Sequence, residues 1–303
     1  MILDHLHGFS LTYYLESKNE PIQGLLVRKA AWEVLQAVAA GAYSDVALNR
    51  ILLRKNFNKL DRGLITELSY GAIRQRYFLD CWIDFLGKVA SSKQPPLLRW
   101  LLHIGLYQIF FMNKIPNGAI VHTTVELAKA SKINKLSSVV NGILRSAIRA
   151  KEKGIGLPKS EKIEEKIAKN YSIPIWLSQD LISWEGESKA ETIAKTFNII
   201  PPIDIRVNKL ISNRNDIRMT FQDNGINCKF IEGCPFGLEV EGSAGDVSNW
   251  PGFQEGRWCV QDRSSQWVSP LLEAKSNEII LDACCAPGGK TTHIAELVND
   301  NAE

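Results

Sequence analysis

The stretch from Glu278 to Leu297 constrains the fold of this chain more than any other, because it reads as strand, glycine turn and helix in succession. Residues 279–281, Ile-Ile-Leu, form the short apolar run that is typical of a buried parallel strand. The Pro-Gly-Gly sequence at 287–289 ends that run and lets the backbone turn without a side chain in the way. The order of these three segments predicts an α/β unit at this point of the chain.

The helix after the turn is predicted from a capping residue, Thr291 or Thr292, and from an apolar face of Ile294, Leu297 and Val298. A glycine turn that ends at a helix N-terminus presents unpaired N–H groups and the positive end of the helix dipole. Both suit a carboxylate or a phosphate group. The stretch is therefore a candidate cofactor-binding loop.

Two nucleotide-binding patterns were compared with this loop. Gly289-Lys290-Thr291 resembles the end of a phosphate-binding loop, but that pattern requires a glycine where this chain has Cys284. The dinucleotide pattern G-x-G-x-x-G is absent as well, so both predictions are rejected. Cys284 and Cys285 are not predicted to be nucleophiles, because their place at the strand end beneath the loop favours close packing of small side chains.

Composition excludes several classes of protein. With 303 residues and 45% hydrophobic content, the chain is expected to fold into two or three domains. No apolar run is long enough to span a bilayer, and residues 1–30 lack the pattern of a secretory signal. The six cysteines show no C-x-x-C pair, and the five histidines do not cluster. We therefore expect a cytoplasmic protein with reduced thiols and no metal site.

The net charge of +3 conceals an asymmetry along the chain. Residues 1–150 carry 19 Lys and Arg against 10 Asp and Glu, whereas the remainder carries 17 against 23. An excess of positive charge in one half favours a polyanionic partner such as nucleic acid. A soluble basic surface without a partner explains the charge alone equally well.

The first 150 residues are predicted to form an all-α domain. After a leader over residues 1–20 without clear periodicity, apolar residues recur at three-to-four spacing from Leu25 and predict six or seven helices. One of these is expected to begin at Asp61 and to continue through Leu79. A Lys-, Gly- and Pro-containing linker over 151–159 then marks a domain boundary.

Residues 160–255 are predicted to form a small α+β domain, in which three helices precede strands over 203–207, 228–231 and 238–240. Arg206 and Asn208 lie at the end of the first of these strands. They could bind a phosphate or a base edge, although turn hydrogen bonding explains them better from the residues alone. A further strand near Trp258 is predicted to open a doubly wound α/β domain over 256–303.

Several segments together resemble one family. Residues 281–292, LDACCAPGGKTT, look like the first S-adenosylmethionine (SAM) motif of the Sun/Fmu family of bacterial 16S rRNA (cytosine-C5)-methyltransferases. The family's N-terminal domain in turn resembles the antitermination factor NusB. Other parts of the chain are similar to further segments of the family, namely Ile104–Gln108, Val140–Arg145, Ile205–Asn208 and Val260–Asp262.

The resemblance implies a multidomain protein with three parts. These are an all-α NusB-like RNA-binding domain (1–150), a small α+β RNA-binding domain (160–255) and the start of a Rossmann-like α/β SAM-dependent methyltransferase domain (256–303). It also implies SAM as the methyl donor, with Asp282 orienting the loop. The implied cofactor-binding residues are Cys284, Cys285, Ala286, Pro287, Gly288, Gly289 and Lys290.

The resemblance further implies an RNA-facing role for Arg206 and Asn208 and a 16S rRNA or small-subunit precursor as partner of a monomer that binds no membrane. In the family, a cysteine thiolate attacks C6 of cytosine and makes C5 nucleophilic. That cysteine and a second one lie in Thr-Cys and Pro-Cys motifs, and this chain contains neither dipeptide. We therefore expect the nucleophile beyond residue 303 and no methylation by this chain alone. The alternative is a non-catalytic NusB-like RNA-binding protein.

Overall fold

The computed structural model describes residues 24–54, 56–242 and 247–303. The leader predicted over residues 1–20 lies outside these ranges. The chain divides into two compact units between Ile199 and Ile200, and each unit is described by itself below.

Seven α-helices and two 3₁₀ turns make up residues 24–152, in agreement with the all-α prediction. The helices are α1 (Leu25–Ala39), α2 (Ser44–Arg54), α3 (Lys59–Arg74), α4 (Arg76–Leu86), α5 (Pro96–Phe111), α6 (Asn117–Lys129) and α7 (Ser137–Glu152). The short turns cover Ser91–Lys93 and Asn134–Leu136.

Helix α5 lies at the centre of this helical bundle. Every residue from Trp100 to Ile109 is buried, as expected for a helix that is apolar on all sides. The backbones of neighbouring helices approach it closely at glycines. A Cβ added to Gly71 on α3 would lie 2.0 Å from Cζ of Tyr107, so only glycine fits there.

The helix predicted from Asp61 through Leu79 is in fact two helices that meet at Gln75, so the prediction of one continuous helix is wrong. Two contacts from distant residues explain the break. The Oγ of Ser172 accepts hydrogen bonds from the N–H groups of Tyr77 (3.0 Å) and Phe78 (3.3 Å), in the first turn of α4. The side chain of Gln75 donates to Oδ1 of Asn198 at 2.7 Å. Neither partner is visible in the local pattern.

Three further helices complete the described part of the first unit: α8 (Ile163–Tyr171), α9 (Ile175–Glu185) and α10 (Glu187–Thr196). They bury a small apolar cluster of their own, which includes Ile167, Leu181 and Ala190. Tyr77 of α4 packs against this cluster. The three predicted helices are present, but they lie in the same compact unit as α1–α7 and not with the strands that follow.

The second unit is built on a four-stranded antiparallel sheet of order β2-β3-β1-β4. Its strands are β1 (Ile203–Val207), β2 (Cys228–Phe230), β3 (Gly237–Val240) and β4 (Trp258–Val260). Helix α11 (Arg214–Asp223) covers one face, where Ile217 and Phe221 pack on Trp250 and Trp258. A 3₁₀ turn covers Val247–Asn249.

Strand β4 was predicted to open the next domain, but it pairs with β1 and completes this antiparallel sheet. Two short helices follow it, α12 (Arg263–Gln266) and α13 (Val268–Leu271). Helix α14 (Gly289–Leu297) then follows the glycine loop. The domain limits at 150, 160 and 255–256 remain predictions.

The strand predicted at Ile279–Leu281 is not formed as a regular strand, and Ile279 and Leu281 are exposed. A parallel strand needs neighbours on either side, and among the described residues only the backbone of Glu303 pairs with this segment. Ile280 N–H donates to the carbonyl oxygen of Glu303 at 2.7 Å, and Glu303 N–H donates to that of Glu278 at 3.0 Å. This alternation is the pattern of a parallel strand pair.

Glycines 63 and 71 of α3 allow a matched test of the close approach to α5. Gly71→Ala should destabilise the helical unit by about 1–3 kcal/mol, because the new methyl group overlaps the Tyr107 ring. Gly63→Ala on the same helix meets nothing within 4 Å and should stabilise it by about 0.4–1 kcal/mol. Urea unfolding followed by circular dichroism measures both, and equal effects would contradict the proposed close packing.

Candidate functional site

The glycine loop ends at an uncapped helix N-terminus. Helix α14 begins at Gly289, and its N-cap, Gly288, has a left-handed backbone with φ of +105°. No side chain caps the helix, so the prediction of a threonine cap is wrong. Among the described residues, the N–H groups of Gly289, Lys290 and Thr291 have no acceptor. These donors and the helix dipole are therefore available to an anion.

Asp282 shapes the loop from its other side. Its Oδ1 accepts a hydrogen bond from the N–H of Cys284 at 3.1 Å, and its Oδ2 accepts one from the hydroxyl of Thr291 at 2.7 Å. One carboxylate thus ties the start of the loop to the first turn of α14. The family resemblance implies that Asp282 orients the loop through backbone N–H groups, and the bond from Cys284 is of that kind.

Cys284 and Cys285 are both exposed, so the prediction that they pack beneath the loop is wrong. The prediction assumed a buried strand beneath them. That strand is not formed here, because residues 279–281 have no complete set of neighbours. The two thiols instead line the loop between Asp282 and Pro287, together with the exposed residues Ala286 and Lys290.

Arg206 on β1 connects the sheet to the helix that follows the loop. The side chain is 1% exposed, and its Nη2 lies 2.8 Å from Oε1 of Glu296 while its Nε donates to Oε2 at 3.2 Å. The same guanidinium donates to the carbonyl oxygen of Gly289 (2.7 Å), to the hydroxyl of Thr292 (3.0 Å) and to the side chain of Gln261. The start of α14 is therefore fixed to the centre of the sheet.

These contacts contradict an RNA-facing role for Arg206, because its donors are used inside the unit. Asn208 also serves the local structure: its Oδ1 accepts from the N–H of Leu210 at 3.0 Å, and its Nδ2 donates to the carbonyl oxygen of Gly256 at 3.2 Å. Asn208 therefore makes hydrogen bonds within the turn, which is the alternative that the residues alone favoured.

A second ion-pair network secures α12 beside β1. Arg263 donates to both carboxylate oxygens of Asp204, at 2.7 and 2.8 Å, and to Oε2 of Glu239 at 2.7 Å. The hydrogen bonds to Asp204 and Glu239 raise the pKa of Arg263 above its already high value. The side chain of Gln266 donates to the carbonyl oxygens of Ile205 and Gln261. The start of the segment between β4 and α14 is thereby attached to the sheet.

The buried face of α14 differs from the predicted apolar face. His293, Glu296 and Val298 are buried, whereas Ile294 and Leu297 are only partly covered. Sequence analysis missed Glu296, Gln261 and Thr292 as members of the Arg206 network. One sequence feature could have indicated two of them: Thr292 and Glu296 are four residues apart and therefore share one face of the helix.

His293 is buried without a hydrogen bond at either ring nitrogen. Loss of hydration on burial, reinforced by the positive charge of Arg206, lowers the pKa of His293 to about 4. The imidazole is therefore neutral at physiological pH, and its ring lies edge-on to Phe236.

The loop fits a carboxylate-bearing cofactor in this arrangement. Gly288 has open space where a Cβ would lie, so a ligand atom can approach the backbone there. The free N–H groups of α14 supply the donors for an anionic group. Among the described residues, no group of three or more His, Cys, Asp and Glu is placed to hold a metal ion, and no helix is long and apolar enough to cross a membrane.

Comparison with family models gives three matches in order along the chain. The NusB family model matches residues 26–149. The ferredoxin-like domain of RsmF/B-like methyltransferases matches residues 173–248. The model named 16S rRNA methyltransferase RsmB/F matches residues 269–303. The fold is accordingly a NusB-like helical domain, a ferredoxin-like domain and the start of a methyltransferase domain.

Curated relatives match most of this chain. A probable ribosomal RNA small subunit methyltransferase B of Synechocystis is 39% identical over 91% of this chain and 62% of its own length. A probable methyltransferase B of Bacillus subtilis is 34% identical over 90% and 60%. The chain thus spans about three-fifths of these relatives. A solved protein, PH0851, shares the fold with a TM-score of 0.70 over 94% of this chain and 63% of its own, at 21% identity.

The Arg206–Glu296 pair should be a large contributor to the stability of residues 200–303. Glu296→Gln should reduce the free energy of unfolding by about 3–5 kcal/mol, because it leaves the guanidinium charge buried without its counter-ion. Lys229→Gln breaks an exposed ion pair with Glu239 and should have little effect. Urea unfolding followed by tryptophan fluorescence tests this, and a small change in Glu296→Gln would show that the pair is unimportant.

The buried His293 should make the free energy of unfolding decrease as the pH is lowered. Its folded pKa of about 4 lies below the usual value of 6.5, so between these values the unfolded chain binds the proton more readily. Stability is therefore full above pH 6.5 and falls as the pH is lowered towards 4.

The variant His293→Leu removes the titrating ring. Between pH 6.5 and 4 the free energy of unfolding should fall less steeply in the variant than in the wild type. The two slopes should differ by up to about 1.4 kcal/mol per pH unit, which is the contribution of one titrating group. Urea titrations at several pH values give both slopes. His103 is common to both proteins, so identical slopes would mean that His293 does not carry the effect.

Proposed function

We propose that this chain, which belongs to the ribosomal RNA small subunit methyltransferase B family, provides the RNA-presenting and methyl-donor-binding parts of an enzyme that methylates C5 of cytosine in 16S rRNA. The relatives are named as methyltransferases of small-subunit rRNA. The cytosine C5 specificity follows the resemblance of residues 281–292 to the Sun/Fmu motif.

The observation that carries the proposal is the uncapped N-terminus of α14 behind an Asp282-braced glycine loop. When bound, S-adenosylmethionine would supply the methyl group. The N–H groups of Gly289, Lys290 and Thr291 would hold its carboxylate, and the open space at Gly288 would allow the close approach. Cys284, Cys285, Ala286 and Pro287 would form the rest of the loop that faces it.

Within this proposal Cys284 and Cys285 contact the cofactor and do not attack the base. The Thr-Cys and Pro-Cys motifs of the family do not occur in the chain, so no cysteine of this sequence is assigned as the nucleophile. Lys290 is exposed at the loop and would lie near the reacting base. We therefore propose that the 303-residue chain binds the methyl donor without transferring the methyl group.

A second function, binding of RNA without catalysis, is favoured by one observation: the 19 Lys and Arg against 10 Asp and Glu in residues 1–150. The two functions differ in whether the glycine loop binds SAM. Measurement of SAM binding therefore separates them.

Isothermal titration of SAM into the chain should show binding that Asp282→Ala weakens at least about tenfold, because the loop loses its two side-chain hydrogen bonds. Asp300→Asn removes the same charge from an exposed residue that follows the end of α14, and should leave binding unchanged. Absence of SAM binding by the wild-type chain would favour the RNA-binding alternative.

The same proteins are then incubated with methyl-labelled SAM and unmodified 16S rRNA. We expect no label in the RNA from this chain alone. Label at cytosine C5 would contradict the proposal that this chain does not transfer the methyl group. Label on another base or atom would contradict the proposed specificity.

A further inference from the structure

The break between α3 and α4 creates a polar cavity in the helical unit. The cavity has a volume of about 400 Å³ and is lined from α3, α4, α5 and the α8–α9 connection. Arg74 is the last residue of α3 and Arg76 the first of α4. In one continuous helix these two residues, two positions apart, would point in different directions. Because the chain turns at Gln75, both line the same cavity.

A third arginine, Arg99 of α5, lines the cavity but is already neutralised. It donates to Oδ1 of Asp80 at 2.7 Å and also contacts Oδ2. His103, fully buried, lies 2.8 Å from the same carboxylate. Burial works against ionisation of Asp80, but the hydrogen bonds from His103 and Arg99 outweigh it and keep the pKa below its usual range. The pair therefore adds little net charge to the cavity.

Arg74 and Arg76 supply a surplus of positive charge. Among the residues that the structure describes, neither guanidinium has a hydrogen-bond acceptor or an ion-pair partner. Arg76 is nonetheless held in place, since its Cζ lies 5.1 Å from the centroid of the Trp100 ring. All five N–H donors of each guanidinium remain available, in the geometry that suits the oxygens of a phosphate.

Other polar groups around the cavity are donors or are occupied. Ser172 Oγ already accepts from the backbone of α4, so it does not compete for the arginines. Tyr77 lines the cavity, and burial, together with the negative fields of nearby Glu165 and Asp84, keeps its pKa raised and its hydroxyl protonated. An anion would therefore meet donors on several sides.

We propose that this cavity binds a phosphate group through Arg74 and Arg76, and that the phosphate is a phosphodiester of a single-stranded RNA. The volume of about 400 Å³ exceeds that of one phosphate group, so the cavity has room for part of an attached nucleotide as well. The excess of positive charge over residues 1–150 supports a polyanion over a single ion. The residues of this site belong to the first unit and the glycine loop belongs to the second, so RNA binding at the cavity is tested without a methyl donor.

The test measures binding of a short single-stranded RNA by fluorescence anisotropy, without SAM, between about 50 and 200 mM salt. Arg74→Gln/Arg76→Gln should weaken binding about tenfold and reduce the slope of log affinity against log salt by about 0.7 for each phosphate that is no longer neutralised. Arg50→Gln/Arg54→Gln removes two exposed charges from α2 and should change neither quantity. An equal reduction of affinity in both double variants would overturn the proposal, since general charge would then explain it.

Arg76 also packs on Trp100, so a folding defect must be distinguished from the removal of a ligand-binding group. Arg74→Gln alone removes no hydrogen bond or ion pair of the described residues and should still weaken binding by several-fold. Arg76→Lys keeps the charge but not the planar donors, and should give an intermediate affinity. Wild-type affinity in Arg74→Gln, with the double variant folded by circular dichroism, would overturn the site.

A second experiment distinguishes RNA from free phosphate. Inorganic phosphate is titrated into the protein while the arginine Nε–H signals are followed by NMR. Shifts that disappear in the double variant, together with weakened RNA binding, support a phosphodiester site. Shifts that disappear while RNA affinity is unchanged would assign the cavity to free phosphate and overturn RNA as its ligand. Unchanged RNA affinity without phosphate shifts would overturn the site altogether.

Discussion

The arrangement of residues 200–303 depends on one buried ion pair, Arg206 with Glu296. Two charges removed from water are unfavourable unless their remaining donors and acceptors are satisfied. Here Gln261, Thr292 and the carbonyl oxygen of Gly289 complete the coordination of the guanidinium. Gln261 follows the end of β4, Gly289 and Thr292 lie in the first turn of α14, and Glu296 lies in its last turn. Because Arg206 binds all four, it fixes the helix relative to the sheet.

That constraint also explains the state of the glycine loop. The loop is held at its helical end by the Arg206 contacts and at its strand end by Asp282. Its middle, with two exposed thiols, remains open beside the free N–H groups at the start of α14. A loop that is fixed at both ends and open between them loses little conformational freedom when a ligand binds, so less of the binding energy is spent on ordering it.

Much of the fold could be predicted from the sequence, because helices in residues 25–152 follow from strong local periodicity. The break at Gln75 could not, since it depends on Ser172 and Asn198, almost a hundred or more positions away. The buried strand predicted at 279–281 is not formed, because the segment lacks the neighbouring strands that would bury it among the described residues. Strand β4 was identified, but its partner β1 could not be, since local alternation does not encode which strand it joins.

In the candidate site, too, some features could be predicted from local sequence and others depend on distant residues. The glycine turn and the contact of Asp282 were accessible to sequence analysis, the second through family resemblance. Arg206 was noticed, but only as a residue for turn hydrogen bonding or for contact with RNA, and its burial was not predicted. Its burial depends on Glu296, ninety residues further on. No local rule connects an arginine in a strand with a glutamate on a distant helix.

Strand β4 has a consequence for how such proteins can change over evolutionary time. It completes the antiparallel sheet by pairing with β1, yet its carboxyl end leads directly into α12 and the glycine loop. A recombination event at the junction before β4 would leave β1 with an open edge and would detach Arg206 from its partners. The sheet and the beginning of the methyltransferase domain are therefore expected to be inherited together, as one module, and not exchanged separately between genes.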